Sequence, residues 1–140
     1  MTWQGSTDFE IPFRTMGAKA LQASTSITSS TATTAVFVGK GLFAITIDVT
    51  ALSLGAKAFD TVNFLVQRNT LAATTTWQEI GMLVVGDATG LGAALGVDEY
   101  TIFVNNTGDN QVRIYAYVNG STVSVTYSAD IYPVRSKDVA

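Results

Sequence analysis

Neither cysteine nor histidine occurs in this 140-residue chain. Without cysteine there are no disulfides and no thiolate metal sites. Without histidine the commonest general base and the commonest metal ligand are missing. Ser-His-Asp and Cys-His catalysis are therefore excluded, and so are zinc sites built from these residues. Charge is scarce as well. Only 14% of the residues are charged, against about 25% in ordinary soluble domains. Net charge is −3 and the basic residues are scattered, so the concentrated positive charge that nucleic acid requires is absent. No run approaches the roughly 18 apolar residues that cross a bilayer. The alternating segments are too short and mixed for a membrane barrel. Asp8, Glu10, Arg14 and Lys19 interrupt the N-terminal stretch, which does not read as a secretory signal. The expectation is a chain assembled in a cytoplasm, with neither nucleic acid nor membrane as partner.

What the chain has is apolar residues, 47% of the total. Its length fits one domain with one core. From Val36 onward these residues alternate with polar ones, the signature of half-buried strands. Phe43, Ile45, Ile47 and Val49 fall on one face, and Val62, Phe64 and Val66 on another. Ile80, Met82 and Val84 read as the next inward row, followed by Tyr100, Ile102 and Val104. Val112, Ile114 and Ala116 come next, and then Val123, Val125, Tyr127, Ala129 and Ile131. The Ser/Thr-rich residues 24–34 resemble a linker in composition. Threonine fits a pleated surface, however, and a first strand over 21–28 is expected. Asn119-Gly120 predicts a tight type I′ hairpin between the last two strands. Residues 51–54 predict a helical turn. The fold class is all-β: an antiparallel β-sandwich, with a jelly roll the expected version. Residues 1–20 are expected to form an extended N-terminal arm and residues 21–140 the sandwich.

Little in the chain promises catalysis. Asp98 and Glu99 are adjacent and Asp87 is close in sequence. Neighbouring residues on a strand point to opposite faces, which does not suit a carboxylate pair flanking one substrate. No calcium-loop spacing is present. The glycine-rich residues 86–92 lack the lysine of a phosphate-binding loop. No catalytic residue, cofactor or metal is expected. The candidates are for partner binding. Trp3, Phe9, Ile11, Phe13 and Arg14 would anchor the arm, and Arg113, Tyr115 and Tyr117 share one strand face. Trp77 and the tyrosines are also a possible sugar-stacking platform. Leu65 and Phe103 lie on outward rows, and outward apolar residues mark contact surfaces.

The strand texture has a counterpart among known proteins. The runs GLFAITIDVTAL (41–52), TVNFLVQ (61–67), WQEIG (77–81), YTIFVN (100–105) and VRIYAYV (112–118) occur in that order. Together, over residues 36–132, they resemble small jelly-roll virion proteins of tailed bacteriophages, the capsid decoration or cement class. That resemblance implies a homotrimer on the outside of a phage head, bound to the major capsid protein and stabilising the shell. It brings no enzymatic residues. The alternative is a tail-fibre or receptor-binding sandwich recognising a surface glycan, with Asn105, Asn106, Asp109 and Asn110 near its aromatics.

Overall fold

The computed structural model describes residues 18–55, 58–70, 75–88, 90, 95–108 and 110–134. They form nine strands: β1 (Lys19–Ile27), β2 (Thr31–Ala32), β3 (Val36–Val38), β4 (Gly41–Ser53), β5 (Thr61–Asn69), β6 (Trp77–Gly86), β7 (Asp98–Asn106), β8 (Asn110–Asn119) and β9 (Ser124–Pro133). Two antiparallel sheets pack face to face. The first, sheet A, has the order β1-β9-β4-β7. The second, sheet B, runs β2-β8-β5-β6, with β3 also on β8. The protein is an antiparallel β-sandwich.

The pairings are nested. β5 pairs with β6, β4 with β7, β2 and β3 with β8, and β1 with β9. Successive nested pairs alternate between the sheets, and β4–β9 and β5–β8 stitch them together. The chain therefore behaves as one long hairpin rolled over on itself.

Between the sheets the alternation becomes a core. Ile45, Ile47, Val49, Val62, Phe64 and Val66 are fully buried. The edge of the Tyr127 ring meets Phe64, with centroids 4.8 Å apart. Each such large side chain contributes about 1.5–3 kcal/mol by leaving water. The inward rows expected for β4, β5, β7, β8 and β9 face this core.

Three local expectations are corrected. Ile80 packs against the core as expected, but after it the inward row of β6 is Gly81, Leu83 and Val85, opposite Val66, Phe64 and Val62, in place of Met82 and Val84. Met82 is 53% exposed. A register shift beside Val66 inverts the row. A Cβ on Gly81 would lie 2.9 Å from Val104 Cγ1, so the missing side chain makes room for the neighbouring sheet. Residues 51–54 are not a helical turn. β4 continues through Ser53, with a bulge between Val49 and Ala51 that brings Leu52 opposite Val125. Asn119-Gly120 is not a two-residue hairpin either. β8 and β9 belong to different sheets, so residues 120–123 cross between them. Gly120 takes φ +136 there, and an added Cβ would strike Val123 and Asp60.

The Ser/Thr-rich stretch is part of the sheets rather than a linker. β1 starts at Lys19, opposite Ile131, so residues 19 and 20 belong to the sandwich. Further along, hydroxyls continue the ladder where the backbone departs from β8. Ser30 Oγ accepts the Val118 N–H at 2.9 Å, and Thr33 Oγ1 accepts that of Ile114 at 2.9 Å. Small hydroxyl side chains suit this dual role.

Candidate functional site

Directly opposed residues of antiparallel strands share a face. On the outside of sheet B this rule assembles three rows. Tyr117, Asn63 and Val84 form one, Tyr115, Leu65 and Met82 the next, and Arg113, Gln67 and Glu79 the third. The first two rows are mainly apolar or aromatic. Tyr117 is 45% exposed, and Leu65 and Val84 are half-buried. The core on the other side of the same strands is complete without them.

The third row is pinned. The Arg113 guanidinium lies 4.0 Å over the centroid of the Trp77 ring. Its Nε donates to Gln67 Oε1 at 3.0 Å. Burial draws the Arg113 pKa down, opposed by the nearby Tyr115 hydroxyl. The cation is thus held flat against the sheet between an aromatic face and an amide. Such an arginine offers a rigid, amphipathic contact and loses little freedom on binding.

Arg113, Tyr115 and Tyr117 therefore share one face as the sequence predicts, and Trp77 and Leu65 join them. The alternation of β6 predicts Met82 inward, but the bulge turns it onto this face. The segment IGMLVV is apolar on both sides, so its pattern does not say which row is which. The other candidates, Trp3, Phe9, Ile11, Phe13 and Arg14, lie outside the described residues.

The asparagines considered for glycan contact have other duties. Asn106 is wholly buried. Its Nδ2 donates to Gly39 O at 2.8 Å and also reaches the carbonyls of Val38 and Gly108. It thereby ties the β3–β4 turn to the β7–β8 connection. Asn110 is 7% exposed, and Asp109 lies outside the described residues. Of the cluster's described members, only Asn105 faces solvent. Nearby, Arg68 clamps the same end of the sandwich, through Gln78 Oε1 at 2.9 Å and through Thr107.

Asp98 and Glu99 are exposed at the start of β7. Asp98 Oδ1 accepts the N–H of Glu99 at 2.7 Å, a local turn contact at the surface. Among the described residues no group of three or more acidic side chains is placed to hold a metal ion. Nor is any helix among them long and apolar enough to cross a membrane. No known family model matches the chain, and no curated protein is similar to it.

Proposed function

We propose that this chain is a non-catalytic virion structural protein, a capsid decoration or cement protein on the outside of a tailed-phage head. In this reading it forms a homotrimer and bridges major capsid protein subunits. The observation that carries the reading is the outer face of sheet B. Leu65, Met82, Tyr115, Tyr117 and the Arg113–Trp77 stack form a largely apolar surface on strands whose core is already filled. Surfaces of this composition are covered by protein partners. The strand order supports the jelly-roll version of the sandwich: nested pairs alternating between sheets give two interlocked Greek keys.

The mechanism is linkage. A subunit that binds only the assembled shell stabilises that state by its binding free energy. A trimer makes three contacts act together, which raises retention beyond any single contact. Residues 1–17, with their aromatic anchors, supply part of the shell contact.

Co-sedimentation with undecorated phage heads tests the proposal. The full chain is expected to pellet with the shells and to raise their disruption temperature. Removing residues 1–17 is expected to leave the sandwich folded and to weaken retention. A chain that stays in the supernatant with every shell tried overturns the reading. The glycan-directed alternative has less support, because Asn106 holds turns together inside the fold. Binding on a glycan array with no shell affinity would revive it.

A further inference from the structure

The two ends of the sandwich differ in charge. One end gathers the start of β1, the β3–β4 turn, the β5–β6 connection and the end of β9, and is called terminal here. The other gathers the connections that follow β4, β6 and β8 and is called distal. Strand register fixes this division, since β4 runs parallel to β1 and antiparallel to β7 and β9. The described cations, Lys19, Lys40, Arg68 and Arg113, all lie in the terminal half. Asp60, Asp87, Asp98 and Glu99 lie at the distal end, with Asp48 opposite Glu99. Of the other described carboxylates, Glu79 lies across β5 from Arg113 in the terminal half, and Asp130, opposite Ala20 and Thr46, lies toward the terminal end of β9. Lys57 and Asp109, in the connections at the two ends, lie outside the described residues.

Both ends are also apolar. At the terminal end Phe37 is 64% exposed, and Lys19 Nζ donates to its carbonyl at 3.0 Å. At the distal end Phe59, Val97 and Leu95 are 57%, 60% and 42% exposed. Phe59 takes φ 67, a left-handed backbone that bulky residues avoid. Its ring lies over Gly90, where an added Cβ would be 2.6 Å from Cζ. The neighbouring loop is fixed to it, since Asp60 O accepts the Asp87 N–H at 2.9 Å and Gly86 N–H reaches Leu95 O at 2.8 Å. A strained, exposed aromatic at an end that also exposes Leu95, Val97 and several carboxylates has the build of an interface anchor.

We infer that the distal end of one copy docks on the terminal end of a second copy. Phe59, Leu95 and Val97 would meet Phe37, and Asp98 and Glu99 would meet Lys19 and Lys40. This rests on the self-association included in the proposed function and specifies its contact. The occupant is a second copy because each end presents the charge sign that the other complements. The contact is heterologous: it closes into a ring, such as a trimer, when the rotation per step divides a full turn, and otherwise grows as a rod. Opposed rim charges set the register and the encounter rate, so association weakens with salt.

Two full-length variants test it by sedimentation velocity over a concentration series. The distal variant carries Phe59→Asn, Asp98→Lys and Glu99→Lys; asparagine tolerates the left-handed backbone. The terminal variant carries Phe37→Ser, Lys19→Gln and Lys40→Gln, so that its altered end does not attract the altered end of the first. Circular dichroism confirms that each is folded. Alone, each is expected to self-associate at least about tenfold more weakly than the parent chain. Mixed in equal amounts, they retain one intact end each, and a 1:1 dimer that grows no further is expected. A parent chain that associates while the variants associate equally well overturns the head-to-tail contact and leaves self-association standing. So does a mixture of folded variants that stays monomeric beside an associating parent. A parent chain monomeric at every concentration overturns both, while shell binding is decided by the co-sedimentation above.

Discussion

Along β5 two sets of residues alternate under different demands. Val62, Phe64 and Val66 are wholly buried, whereas Asn63, Leu65 and Gln67 face outward beneath Tyr115, Tyr117 and Arg113. The inward set is what the fold requires, because these side chains fill the space between the sheets. The outward set owes nothing to the core, and an ordinary solvated face would be polar there. The proposed shell contact would account for the apolar and aromatic Leu65, Met82 and Tyr117 there.

The sharpest break in this comparison is on the inward row. Phe64→Ala removes a buried ring in contact with Tyr127 and is expected to cost about 3–5 kcal/mol, read from urea denaturation. A cost under about 1 kcal/mol would mean that β5 does not face the core. Asn106→Ala comes next. It strips the donor from the turns at the terminal end and is expected to lower stability by about 1–3 kcal/mol by the same measurement.

On the outward face the energies are smaller. A double-mutant cycle on Arg113 and Trp77 is expected to give a coupling of about 0.5–1 kcal/mol. A coupling of zero would show that the stack does not hold the arginine. Met82→Ser with Tyr117→Ser should change stability by no more than about 0.5 kcal/mol. Yet it should abolish retention on phage shells in the pelleting assay. Loss of stability with retained shell binding would reverse the roles assigned to the two faces.

Tyr127 combines features of both sets, being buried but carrying a hydroxyl with no hydrogen-bond partner among the described residues. Burial pushes its phenol up to about 12, from an ordinary value near 10. The folded state therefore keeps its proton where the unfolded state has lost it. The corresponding stability is complete below about pH 10 and is lost as pH rises toward about 12. Tyr127→Phe is expected to be neutral or slightly stabilising at pH 7. It should also flatten the decline of melting temperature in alkaline solution. An unchanged alkaline slope would show that another group sets it.

Much of the fold was legible as alternation. Where one face of a strand is apolar and the other polar, as in β4 and β9, the inward row could be read directly. β6 resisted because its residues are apolar on both sides, and a single bulge then decides which row is inside. Asn119-Gly120 misled for a different reason. Local turn chemistry says that a chain reverses, not whether it returns to the same sheet. Of the candidate face, Arg113, Tyr115 and Tyr117 were legible as a period-2 set. Trp77 was grouped with the tyrosines from the sequence as well, but the contribution of Met82 was not legible, since it comes from a strand whose register is fixed only by pairing.

The sequence alone determined that the chain is all-β, lacks the side chains for histidine or cysteine chemistry, and has more apolar residues than scattered charges can solvate. Those properties are local or compositional, so no contact between distant residues is needed to read them. The tertiary structure decided which strands are neighbours, which row of β6 faces inward, and that the described cations lie in one half of the sandwich while Asp60, Asp87, Asp98 and Glu99 lie at the other end. These depend on pairing between segments far apart in the chain, and loop entropy and core packing choose among registers that local pattern leaves equivalent.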